Sequence, residues 1–67
     1  MNDGEKLLLA RRRARLPAYQ LAAAAKIAPS VLSAIEHGDR EATSDQKLAL
    51  ARALGVEPEM IFERVTA

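Results

Sequence analysis

Cysteine is absent from this chain of 67 residues, so no disulfide can staple it and no thiolate can bind a metal. His37 is its one histidine, which would leave a zinc site to be built mostly from carboxylates; no metal or other cofactor is implied. Tyr19 and Phe62 are the only aromatic residues, too few for a core of large rings. The longest apolar run is Leu21 to Ala25, far below the roughly 20 residues of a membrane span, and no basic-then-apolar leader is present. These absences predict a soluble, unprocessed protein of a reducing compartment, the cytoplasm, with no membrane partner. The length lies near the lower limit for one self-sufficient core, which predicts a single domain over residues 1–67 and argues against most enzymes.

What the chain does have is alanine, at 14 of its 67 positions, which predicts an all-α fold of closely packed helices. Net charge is only +1, yet residues 1–40 carry seven Lys/Arg against four Asp/Glu and residues 41–67 carry three against five. The positive pole is N-terminal and suits an anionic partner without requiring one. Asn2 with Glu5 has the spacing of a capping box and opens a first helix that runs to about Arg15. Pro17 opens a second, to about Ala25, in which the alanines 22 to 25 read as core spacers. Pro29 opens a third, to about His37, which stops at Gly38. Thr43 with Gln46 repeats the capping-box spacing before a fourth helix that Gly55 ends, and Pro58 opens a short fifth, where Met60 and Phe62 read as core by their spacing.

At about 100° per residue, Val31, Leu32 and Ile35 fall on one arc of the third helix, and Ser30, Ser33, Ala34 and His37 fall on the opposite one. One face is therefore core, and the other is a slim, weakly polar surface that a major groove would accept. Two short helices around a tight turn, over about residues 17–37, resemble the helix-turn-helix of the Cro and phage-repressor (XRE) family. Arg11, Leu21-Ala22, Ile35-Glu36-His37-Gly38 and Leu50-Ala51-Arg52-Ala53-Leu54-Gly55-Val56 all stand at the family's spacing.

That resemblance implies a compact five-helix, lambda-repressor-like domain acting as a transcriptional regulator. It would bind double-stranded operator DNA as a homodimer, with residues 29–37 in the major groove. The family's base-reading positions match Pro29, Ser30, Ser33 and Ala34, with His37 just beyond, and its phosphate-contacting positions match Tyr19 and Arg40. The family also pairs an arginine matching Arg11 with a glutamate matching Glu36. Pro58, Met60 and Ile61 are the candidate dimer contacts. The chain departs from the pattern at Ala18, where glutamine is usual, and at Lys26, where the turn usually has glycine and demands a left-handed backbone. Long amides or arginines are also missing from the recognition face, which predicts modest base discrimination.

Each residue also has a plainer reading. Arg12 and Arg13 point in different directions from Arg11 and read as a solvated face. His37 either contacts DNA or caps the last carbonyls of its own helix, and Tyr19 either packs on the first helix or offers its hydroxyl to a phosphate. Catalysis has little support, because nucleophile, base and oxyanion donor have no recognisable arrangement and Ser30, Ser33 and Ser44 have no histidine to activate them other than His37. The competing function is a protein-binding helix-turn-helix, such as an antitoxin or antiactivator, that docks a partner protein on its third or fifth helix. With no second domain expected, regulation would come from concentration, dimerisation or proteolysis.

Overall fold

Two helix starts are made by side chains and two by backbone shape alone. In the computed structural model, which describes residues 1–65, the Asn2 side chain accepts from the Glu5 N–H at 2.9 Å and opens α1 (Asp3–Arg13). Thr43 and Gln46 bond each other's backbone N–H at 3.1 and 2.9 Å, a complete capping box that opens α4 (Ser44–Leu54). Between them, α2 (Ala18–Ala25) follows Pro17 and α3 (Pro29–Glu36) follows Ala28, and neither has a side-chain cap.

All four helices end in one way. Arg15, Lys26, Gly38 and Gly55 each adopt positive φ, at 57°, 59°, 80° and 71°. The residue after each returns its N–H to a carbonyl five positions back: Leu16 to Arg11, Ile27 to Ala22, Asp39 to Ala34 and Val56 to Ala51. This pairing reclaims helix-end carbonyls that would otherwise lack a donor, and it favours an apolar residue just after the left-handed one. Leu16, Ile27 and Val56 fill that role half-buried, while the exposed Asp39 leads instead into the loop before α4. Lys26 is thus left-handed, as the turn demands, and Arg15 is a second such residue that the sequence does not announce.

The core is Leu7 from α1, Leu21, Ala22 and Ala25 from α2, Leu32 and Ile35 from α3, Leu50 and Ala51 from α4, with Ala42, Ile61 and Phe62 closing it. α2 packs against α3 and α4, and α1 against α3. Ala23 and Ala24 are exposed, so only Ala22 and Ala25 of the alanine block serve as core spacers; in a helix the middle pair points away from a face shared by the outer pair.

The fifth helix is a single 3-10 turn, Pro58–Met60. Adjacent residues Ile61 and Phe62 are both buried, at 2% exposure each, and a continuing helix would point them about 100° apart. The segment is instead tied down in open form: the Glu63 N–H donates to Asp3 Oδ1 at 3.3 Å, and the Arg64 carbonyl accepts from the Lys47 ammonium. Lys47 is itself buried, with Glu41 at 3.8 Å and the Phe62 ring centroid at 5.8 Å.

Two features join α1 to the C-terminal end of α3. Arg11 donates from Nε to Glu36 Oε2 at 2.7 Å and from Nη2 to Oε1 at 3.3 Å, while its Nη1 donates to the Leu16 carbonyl at 3.0 Å. The two side chains are only 16% and 7% exposed, so this forked, charge-assisted pair works with little competition from water. Beside it, buried Gly4 lets the helices touch at backbone distance: a Cβ at that position would lie 2.5 Å from the Ile35 carbonyl oxygen and 2.6 Å from that of Glu36.

Three outcomes follow for stability, all read by thermal melting. Gly4→Ala is expected to destabilise by about 1–3 kcal/mol, because the methyl can be housed only by moving backbone. Glu36→Gln should cost about 2–4 kcal/mol by leaving Arg11 without its anion, and Arg11→Met with Glu36→Leu should recover much of that; a Glu36→Gln protein that melts like wild type would show that the pair carries no stability. Lys26→Gly should gain about 1 kcal/mol by relieving a left-handed residue of its Cβ.

Candidate nucleic-acid interface

The surface of α3 is as divided as its sequence. Leu32, Ile35 and Glu36 are buried and Val31 is half-buried, whereas Pro29, Ser30, Ser33 and His37 are exposed and Ala34 is half-exposed. The outward arc carries two hydroxyls, one imidazole and otherwise small apolar groups. With eight residues the helix is about 12 Å long, comparable to the width of a major groove. The fork from Arg11 grips the inner side of its last turn through Glu36, which fixes the direction of the outer side.

The remaining candidates flank this arc. Tyr19, one residue into α2, is 65% exposed, so its ring is not packed away on α1. Arg40 is exposed, and its N–H joins that of Asp39 on the Ala34 carbonyl, at 3.3 and 2.9 Å, which sets the loop directly beyond α3. It borders a cleft of about 340 Å³ with Asp3 and Glu63, and no salt bridge engages it among the described residues. Lys26 is exposed in the turn between the two helices. No side chain caps the start of α2 or α3, and because Pro29 has no N–H the first donor of α3 is that of Ser30; the positive ends of both helix dipoles are left for an outside acceptor. Arg12 and Arg13 are exposed on α1, a solvated face.

His37 takes part in its own helix. Its Nδ1 lies 2.7 Å from the Ser33 carbonyl oxygen and 3.3 Å from the Ser33 hydroxyl, so it caps the last turn while its ring stays exposed.

The three candidates for contact between copies separate. Met60 is 69% exposed, which corrects its reading as core, and Pro58 is half-buried. Ile61, expected as a dimer contact, is 2% exposed and belongs to the core, because the 3-10 turn swings it inward. Met60 and Ile61, with Leu9, Ala10, Leu54 and Val56, line a largely apolar cleft of about 430 Å³ that Lys6 and Arg13 also border.

Among the described residues no group of His, Asp and Glu could hold a metal ion, and no helix is long and apolar enough to cross a membrane. Comparison with curated proteins gives no match. A family model described as helix-turn-helix matches residues 7–61. Among solved structures, the restriction-modification controller protein C.AhdI from Aeromonas hydrophila is similar, at 30% identity and a TM-score of 0.87, with 90% of this chain and 91% of that one covered. With the turn, the buried Arg11–Glu36 pair and the outward face of α3 in place, the chain belongs to the XRE-type helix-turn-helix family.

Proposed function

We propose that this protein is a cytoplasmic, non-enzymatic DNA-binding regulator of transcription that acts as a homodimer on a palindromic operator. The observation that carries the reading is the division of α3, whose buried side is anchored while a slim polar side faces outward beside two uncapped helix starts. Likeness to a restriction-modification controller favours control of such an operon as the setting. In this reading α3 lies in the major groove. Ser30 and Ser33 each offer one short hydrogen bond, and Pro29 and Ala34 offer only apolar contact to thymine methyl groups. None of these four supplies the bidentate pairing that separates bases by about 1–3 kcal/mol, so discrimination is modest. Affinity rests on phosphate contacts from Arg40, Tyr19 and the starts of α2 and α3, with any bending of the duplex adding to it.

A second copy completes the reader. Two recognition helices about 34 Å apart would meet successive turns of one duplex face, and exposed Met60 with Pro58, beside the apolar cleft, is the surface we assign to that contact. A dimer raises affinity by doubling phosphate contacts that are few on one protomer.

Selection of bound sites from random duplex DNA tests function and symmetry together, since a dimer enriches a palindrome. On the selected site Arg40→Ala should weaken binding to all sequences about equally and reduce the salt dependence, by roughly one counterion per protomer. Ser33→Ala should act mainly on the preferred sequence. A purified protein that binds no duplex in a salt-sensitive way, yet captures a partner protein through Ser30, Ala34 and His37, would overturn this reading in favour of a protein-binding module.

A further inference from the structure

His37 follows α3 one turn beyond Ser33, on the outward arc that also carries Ser30. Its Nδ1 stands 2.7 Å from the Ser33 carbonyl oxygen. A carbonyl oxygen only accepts, so this contact is a hydrogen bond in the tautomer that carries the ring proton on Nδ1. In the neutral imidazole the other nitrogen, Nε2, is then a bare lone pair. Because Nδ1 is held against the helix backbone, Nε2 is on the side of the ring turned away from it. We propose, resting on the DNA-binding reading above, that His37 is a specificity-determining residue whose Nε2 accepts a hydrogen bond from an exocyclic amino group of a base, adenine N6 or cytosine N4.

The chemistry selects in one direction. Phosphate oxygens, guanine N7 and O6, and thymine O4 are themselves acceptors and would face the lone pair without a proton between them; in the major groove only adenine and cytosine present an amino donor. The hydroxyls of Ser30 and Ser33 rotate and can donate or accept, so they impose no such choice. Within this arc His37 alone has its hydrogen-bonding sense set by a backbone group, and that group survives any change of the Ser33 side chain.

Two measurements test it, both at about pH 8. Nitrogen-15 NMR of the ring should show the Nδ1–H form in the wild type and in Ser33→Ala. Selection from a randomised duplex pool should give one preferred base pair at one position of each half-site, and replacing its adenine or cytosine by an analogue without the exocyclic amino group should weaken wild-type binding as much as His37→Phe does. That preference should fall about five- to tenfold in His37→Phe while the other positions stay as selective. His37→Gln, whose amide both donates and accepts, should bind with the same position broadened to all four bases, and melting curves establish that both variants fold. A ring protonated on Nε2, wild-type binding that does not weaken when the amino group is removed, or an equal loss on every sequence in His37→Phe, as a phosphate contact would give, overturns the proposal. A pool with no enriched duplex sinks the DNA-binding reading beneath it, whichever tautomer is found.

Discussion

The fork from Arg11 is the joint on which the remainder of the structure depends. One guanidinium holds the Glu36 carboxylate with Nε and Nη2 and the Leu16 carbonyl with Nη1, so a single side chain fixes α1, the reversal into α2 and the last turn of α3. Its geometry is planar and its charge permanent, which a lysine would not reproduce. Gly4 works on the same joint from the other direction, since only without a Cβ can the start of α1 approach the Ile35 and Glu36 carbonyls. Because both grip the end of α3, the outward arc keeps one direction.

Small size explains why so much is asked of helix ends. With a core of leucine, isoleucine, alanine and one phenylalanine, a chain of this length cannot leave helix-end carbonyls unpaired on the inner side. The shared left-handed ending satisfies them and turns the chain sharply enough for helices of eight and eleven residues to pack. At Gly38 and Gly55 the conformation comes without strain, and at Arg15 and Lys26 it costs on the order of 1 kcal/mol each. At Lys26 the apolar Ile27 that follows repays part of that cost by packing against the core.

Much of this was legible in the chain, and what was hidden has physical causes. The helix starts at Asn2, Pro17, Pro29 and Thr43 were readable because proline and the capping box act within four residues. The division of α3 was readable from its period, and the Arg11–Glu36 pair from the family's spacing. Lys47 was not singled out, although it sits three and four residues before Leu50 and Ala51 and so in phase with the buried face of α4; phase was the signal, and its charge masked it. Gly4 was not singled out either, since a close approach to another helix leaves no local trace. The alanine block misled because alanine has the same identity on both faces, and the last segment misled because Pro58 announces a helix start whatever length follows. The expectation for Ile61 failed with it, as a 3-10 turn sends successive residues to different sides from an α-helix.

The interface that results is short of charge. Between residues 17 and 43 the basic side chains are Lys26 and Arg40, opposed by Asp39 and Glu41, with Glu36 already committed to Arg11. Fields from so few charges fade within about 8–10 Å in salt, so little long-range steering is available and recognition has to be won at contact. At contact, the useful groups are those whose direction is already set: the uncapped starts of α2 and α3, the loop pinned to the Ala34 carbonyl before Arg40, and the imidazole held against the Ser33 carbonyl. Each is fixed by backbone geometry, so little ordering entropy is lost when a partner arrives. A long, flexible side chain in the same place would lose more freedom for each hydrogen bond it made. The slim face of α3 therefore exchanges the strength of arginine and glutamine contacts for preorganisation. That exchange works only if the helix beneath does not move, and this returns the functional burden to the buried pair at its end.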